Sequence, residues 1–389
     1  MASAAPLDID TLVIGGGIVG SCLGGFLANE GVGVAVIDNG RIGGSNANAG
    51  SLHVQMQSRF MRLYPANVPG MERQLPFYVK AVRFWQTLQA QLETDFDLKM
   101  TGGLMVAESR EQLDFLEMKA KRERKQGLDV DILDRAALDR IAPYFGSGIV
   151  GAEFCANEGK LNPLLCNAAI RRWIQKLGVV LLEGESALSV SRAGAAFAVE
   201  SSSGGIRAGR VVLAAASGSK ALAAGLGVPL PTEPEPLHMN ITEATAPLIG
   251  HLVQHAERMI TLKQFGTGQI VIGGGWPAHL VGERNYPTVE LASLIGNATL
   301  ARRLVPSIGP LRIIRTWAGI NTTADGRGVL GPIAGIPGLF VAVPGDAGYT
   351  LGPLSARLVA DMALGRKPGE DVSDFMPGRF ARRLNAAPR

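Results

Sequence analysis

Three glycines, Gly15, Gly17 and Gly20, follow the apolar run Thr11-Leu-Val-Ile14 in the spacing G-x-G-x-x-G. Asp38 stands 18 residues beyond the last of them. The first glycine permits a tight turn from strand to helix. The second lets backbone approach a pyrophosphate, and the third lets helix and strand pack closely. The helix then begins at Ile18 and Val19, turning free N–H groups and its positive dipole end toward phosphate. Asp38 ends a second apolar run, Val34-Ala-Val-Ile37, and is followed by Asn39. A carboxylate at that strand tip can accept hydrogen bonds from an adenosine ribose. A lone glycine motif is a weak signal in a chain with 50 glycines. Strand, turn, helix, second strand and acid in this order define a dinucleotide site.

Composition bounds what surrounds that site. At 389 residues, one or two domains with ample core are expected. The chain is 47% hydrophobic and 19% charged, as a globular protein is. No apolar run reaches the length of a membrane span. Met1–Asp8 holds no basic residue and no apolar stretch suited to a signal peptide, so a cytoplasmic protein is expected. Cys22, Cys155 and Cys166 are too few and too scattered for a disulfide framework or a C-x-x-C metal site. The chain should therefore hold no zinc and no iron–sulfur cluster of its own. His238, His251, His255 and His279 have no metal-ligand spacing either. The net charge of +4 comes with basic clusters at Met118–Gln126 and Arg379–Arg389. They read as a solvated helix face and a tail, and without interleaved aromatics they give no nucleic-acid surface.

Arg41–Gln55 is a loop of small residues able to bring backbone close to a ligand. Leu75–Leu92 has apolar residues at helical spacing, 102–107 reads as a strand, and Gln112–Gln126 as a charged helix. A short helix over 133–142 stops at Pro143. Asn162 caps a helix whose first turn holds Pro163. Pro229–Pro236 carries four prolines in eight residues and reads as a stiff connector.

The Gly-Gly-Gly-Ile-Val-Gly20 fingerprint, the Asp38 strand end and the Gly44-Ser45…Ala49-Gly50-Ser51 loop together resemble the D-amino acid oxidase superfamily of flavoproteins. The glycine and sarcosine oxidase branch is the nearest broad match. The closing block, Arg315–Gly326 and Leu339–Pro353, resembles that family's final signature. The resemblance implies an α/β fold: a Rossmann-like FAD-binding domain with a discontinuous second α+β substrate domain built on an antiparallel sheet. The FAD-binding domain is expected over 1–92, 149–232 and 313–389, and the substrate domain over 93–148 and 233–312. The cofactor implied is non-covalent FAD, not NAD, because the C-terminal cysteine that tethers flavin in some members is missing. Carried over by position, FAD contacts are implied for Gly15, Gly17, Ile18, Val19, Gly20, Asp38, Asn39, Gly44, Ser45, Ala49, Gly50, Ser51 and Leu52. Later ones fall at Ala187, Ala215, Gly319, Gly345, Asp346, Gly348, Tyr349, Thr350 and Leu351. The family usually has glycine where this chain has Ala216.

Two departures bear on substrate. Glycine oxidase-like members place an arginine, which clamps the substrate carboxylate, where this chain has Asn321. A second arginine in the glycine turn is replaced by the Gly345-Asp346-Ala-Gly-Tyr349 sequence. A bidentate arginine holds a carboxylate far better than asparagine does. The Ala49–Gln55 loop and the Gly348–Pro353 ending look more like β subunits of opine oxidases and of hydroxyproline or proline dehydrogenases. Those chains carry FAD and the substrate site and work with a larger α subunit and sometimes an iron–sulfur chain. The implied reaction is hydride transfer from the carbon next to an amine nitrogen to flavin N5, giving an imine. An alternative is a subunit whose FAD serves relay or structure while a partner holds the substrate. His53, Trp276, Asn321 and Tyr349 are the candidate substrate-side residues, with Gln55, Arg59 and Arg62 nearby in sequence.

Overall fold

The computed structural model describes residues 6–283 and 285–380. Most of the basic C-terminal cluster, residues 381–389, and the first five residues of the N-terminal segment lie outside the described residues. The chain forms two compact units, one from residues up to Asn46, Asn167–Glu235 and Asn321 onward, the other from Ala47–Cys166 and Pro236–Ile320. Among the described residues, no helix is long and apolar enough to cross a membrane.

The first unit is built on the strand that precedes the fingerprint. Leu12 and Val13 of Leu7–Ile14 have no exposed surface, as a central parallel strand covered on both faces requires. The strand order is Val329–Pro332, Leu339–Val343, Gly204–Leu213, Leu7–Ile14, Val34–Asp38, Val180–Glu183. From Leu339–Val343 to Val180–Glu183 every pair is parallel, and Val329–Pro332 adds an antiparallel edge. Ile14 is in register with both Ile37 and Leu213. Three strand ends therefore converge where the glycine turn starts, at the carboxyl edge where open α/β sheets bind ligands. The helix Ile18–Asn29 leaves that turn and packs against Gly348–Ala363.

The second unit is a sheet in the order Ile313–Thr323, Glu233–Ala244, Gln269–Gly273, Thr261–Gln264, Leu252–His255, Gly103–Ala107, Gly151–Cys155, Val130–Asp134. From Glu233–Ala244 to Val130–Asp134 one pair, Leu252–His255 with Gly103–Ala107, is parallel and the others are antiparallel. Two elements differ from the sequence expectation. The proline-rich connector runs straight into a strand at Glu233. Pro234 and Pro236 sit in its first four residues, and the ladder to Gln269–Gly273 begins only at Asn240, so their missing N–H groups break no pairing there. The helix expected from Leu75 starts at Val68 and accommodates Pro76.

The Met118–Gln126 cluster is not a fully solvated face. Lys119 and Glu123 have no exposed surface. Lys119 Nζ donates to Glu123 Oε1 at 2.8 Å and lies 2.9 Å from Glu153 Oε2, which is also fully enclosed. Burial opposes the ammonium, yet Glu123 and Glu153 together push its pKa up. Burial raises Glu153, and the nearby Glu123 adds to that. Charge spacing along one helix cannot reveal this, because the third partner comes from the Gly151–Cys155 strand. Removing one member leaves the others buried and uncompensated. Lys119→Met should therefore lower unfolding free energy by about 3–5 kcal/mol in urea titration. A loss below about 1 kcal/mol would mean the triad holds little of the second unit together.

Candidate functional site

In the first unit, the fingerprint glycines fill a space that no side chain could share. Gly15 adopts φ +112°, and a Cβ there would stand 2.4 Å from Ala214 O and 2.8 Å from Ala215 N. The turn thus rests directly on Ala214–Ala215. A Cβ on Gly20 would lie 1.8 Å from Gly15 O. Gly16, which the motif leaves open, would meet Asp38 Oδ2 at 2.6 Å, so this chain needs glycine there too. Asp38 Oδ1 accepts from Gly40 N at 3.1 Å, and Asn39 Oδ1 from Arg41 N at 3.1 Å, which shapes the turn after the strand.

Ser45 joins these parts. Gly17 has no side chain with which to cap the helix, and Ser45 Oγ accepts from Ile18 N at 2.9 Å instead. Ser45 O accepts from Asn167 Nδ2 at 3.0 Å, and Asn167 Oδ1 accepts from Tyr349 OH at 2.9 Å. The Ser45 carbonyl can only accept, so the orientation of the Asn167 amide follows. The Gly44–Ser45 turn, the first helix and the Gly348–Ala363 helix are thereby linked. Tyr349 is enclosed and directs its hydroxyl to Asn167. Thr350 and Leu351 are buried beside it, after Gly345 at φ +80° and an N-cap, Ala347, with no side-chain cap. Ala216, where the family resemblance leads to glycine, takes φ +53°, a conformation that costs a side chain about 1 kcal/mol. Ala187 opens the Ala187–Ala193 strand and packs into this unit's core. Asn321 Nδ2 donates to Glu235 Oε2 at 2.9 Å. Asp346 is pushed up in pKa by burial and by Glu235.

In the second unit, the loop continues from Ala47. Trp317 Nε1 donates to Ala47 O at 2.9 Å, and Gly319 leaves room for Ala47, whose Cβ would lie 2.4 Å from a Cβ there. Ala49 is half-buried, and Gly50 at φ +79° donates to Asn48 Oδ1 at 2.7 Å. Ser51–Leu52 pairs antiparallel with Gly159–Lys160. His53 follows, with 26% of its side chain accessible but Nδ1 enclosed and without a hydrogen-bond partner. The enclosure and the nearby Lys263 push its pKa down to about 3. Lys263 has no exposed surface and donates to Ser51 Oγ. Burial, reinforced by Lys160, pushes its pKa down to about 7. The structure thus brings His53, Ser51, Gln55 and Lys263 together. Trp276 is placed elsewhere: its indole N–H donates to Met259 O at 2.5 Å and its ring rests on Gly296. Arg59 is exposed, and Arg62 is taken up by Glu257 at 3.4 Å and by the Phe115 ring.

Sequence reasoning passed over Gly16, Asn167, Glu158 and Lys263. Gly16 is an open position of the fingerprint, and Asn167, Glu158 and Lys263 stand in no spaced motif. Among the described residues, no cluster of His, Cys, Asp and Glu could hold a metal ion.

A parallel sheet with a side-chain-free turn at Gly15–Gly17, a helix start at Ile18 and a carboxylate at the strand tip defines a dinucleotide-binding protein of the Rossmann-like class. The residues present fit FAD, with a second helix start, at Gly348 and without a side-chain cap, tied to the same turn. The family described as DAO, FAD dependent oxidoreductase, matches residues 10–362, and the chain belongs to it. The protein is therefore an FAD-dependent oxidoreductase. It is 25% identical over 386 residues to a subunit of the opine oxidase of Agrobacterium tumefaciens (strain Ach5), covering 96% of this chain and 98% of that one. It is 25% identical over 390 residues to the beta chain of the sarcosine oxidase of Rhizobium meliloti (strain 1021), covering 96% and 88%. The fold matches glycine oxidase from Geobacillus kaustophilus at TM-score 0.83 and 22% identity, over 95% of this chain and 98% of that one. It matches L-proline dehydrogenase from P. horikoshii at 0.81 and 22%, over 97% and 99%.

Two outcomes follow from the geometry. Gly20→Ala should yield protein that purifies with little or no FAD, read from its visible absorbance, because the new Cβ collides with the turn itself. The Lys263 ammonium is disfavoured in the folded protein, whose pKa near 7 lies below the ordinary 10.5. Between those values the unfolded chain holds a proton that the folded chain lacks, so stability rises with pH. Denaturant titrations should show wild type gaining stability relative to Lys263→Met from about pH 7 to about pH 10. A constant difference would contradict the depressed pKa.

Proposed function

We propose that the protein oxidises an amino or imino acid or a secondary amine, of the opine, proline, hydroxyproline or D-amino acid type. Bound FAD supplies the acceptor for the hydride leaving the carbon next to nitrogen. Gly15–Gly20, Asp38 and Ser45 would hold its adenosine and pyrophosphate half, and the Gly345–Leu351 turn the other end. The observation that carries the substrate reading is His53. Its side chain is partly accessible, while Gln55, Ser51 and Lys263 are engaged with partners. A ring with a pKa near 3 is neutral at pH 7 and can accept a hydrogen bond from an amine.

At the family's clamp position the chain has asparagine, Asn321. Asn321 turns to Glu235, and Asp346 lies close enough to feel the same carboxylate. That patch is acidic and favours an amine over a free carboxylate. The names of the opine oxidase, sarcosine oxidase and L-proline dehydrogenase relatives support the same substrate class. Two of those relatives are named as subunits, which supports work with a second chain. The missing arginine and those names favour one other reading, in which a partner holds the substrate.

An anaerobic screen decides between them. The isolated yellow protein should bleach with a secondary amine or imino acid and not with glycine. Bleaching only after a partner chain is added would favour the second reading. A colourless protein that takes up no FAD, or one that no amine bleaches in either form, would refute the proposal.

A further inference from the structure

Glu158 is fully buried in the second unit, on the turn between Gly151–Cys155 and Gly159–Lys160. Glycine at position 103 makes room for it, since a Cβ there would lie 1.8 Å from Glu158 Oε2. Its Oε1 accepts from Val54 N at 2.7 Å and Gln55 N at 2.9 Å. Its Oε2 accepts from Gln55 Nε2 and from Gln254 Nε2, each at 3.1 Å.

The amide orientations are set by their other ends. Lys119 can only donate, so the Gln55 Oε1 faces it at 3.5 Å and Gln55 Nε2 is left for Glu158. Gln57 Nε2 donates to Gln254 Oε1, which leaves Gln254 Nε2 for Glu158. Every neighbour is therefore an N–H donor. That is the inventory of a carboxylate, not of a carboxylic acid. Burial pushes the Glu158 pKa up, and the Val54 and Gln55 donors together with the Lys119 charge offset only part of that rise.

One group faces this carboxylate without a hydrogen bond. His53 Nδ1 lies 3.9 Å from Glu158 Oε1, enclosed and unpartnered, while the accessible surface of His53 lies elsewhere on its side chain. A distance of 3.9 Å is too long for a hydrogen bond but close enough for a carboxylate to decide which ring nitrogen carries the proton. We infer that Glu158 is a positioning residue that holds His53 as its Nδ1–H tautomer, leaving Nε2 bare to accept a hydrogen bond from the substrate amine. The substrate clause rests on the proposed function; the tautomer does not. Glu158 also fixes the loop through the backbone of residues 54 and 55, so it sets both where the ring stands and which nitrogen is basic. Burial, and with it the nearby Lys263, opposes protonation of the ring and keeps it a neutral acceptor.

Nitrogen-15 NMR of histidine-labelled holoprotein tests this. The chain has five histidines, and a His53→Asn variant assigns the signal. Wild type should show His53 protonated at Nδ1 and bare at Nε2. Glu158→Gln should lose that preference and slow amine-dependent flavin bleaching about 10-fold or more, as removal of an orienting partner does. A wild-type ring protonated at Nε2, or a Glu158→Gln ring with an unchanged tautomer, would overturn the inference. Should Glu158→Gln fail to fold, the wild-type tautomer decides alone. If no amine bleaches the wild type, the proposed function fails while the NMR signal still reads the pair.

Discussion

The hydrogen bond from Ile18 N to Ser45 Oγ is the contact on which the cofactor cradle depends. A helix that starts at glycine has no side chain to satisfy its own first N–H. Here the residue that does so comes from a loop 27 positions away. The same serine offers its carbonyl to Asn167, and Asn167 receives the Tyr349 hydroxyl. Three segments far apart in the chain are thereby set against one another. Each of these bonds is worth about 1 kcal/mol, but their geometric effect is larger than their energy. They decide where two helix starts stand, and helix starts are where negative charge is held.

The second unit solves a different problem. It buries Lys119, Glu123, Glu153, Glu158 and Lys263, which a core of apolar side chains would not need. Buried charges survive only when paired or hydrogen-bonded. Here the pairing runs as a chain: Glu153 and Glu123 hold Lys119, Lys119 orients Gln55, and Gln55 donates to Glu158. Glu123 Oε1 also accepts from Met56 N at 2.6 Å. The chain's far end is the backbone from Val54 to Met56. The result is a loop whose backbone is held by buried charge as well as by the packing of Leu52, Val54 and Met56, with His53 partly accessible.

Much of the first unit was legible because its signals are local. Val13, Gly15, Gly20 and Asp38 lie within one strand–turn–helix–strand unit, so their spacing carries the geometry. The cofactor and family were readable for the same reason. The contacts between remote segments were less legible. Nothing near Asn167 in the sequence announces two bonds to residues 45 and 349. Glu158 serves a loop about a hundred positions earlier, and Lys119 was hidden in a run of charges that resembles a solvated face. The proline-rich stretch misled for a local reason: its prolines fall before the ladder to Gln269–Gly273 begins, where proline and strand are compatible.

The affinity of Asn167→Ala for FAD tests the cradle most directly. Asn167 belongs to no cofactor motif and touches the site only through Ser45 and Tyr349 in the contacts described above. Losing both bonds should weaken FAD binding about 10-fold or more, from roughly 1 kcal/mol for each. An unchanged Kd would show that the Ser45 contacts do not hold the cradle together.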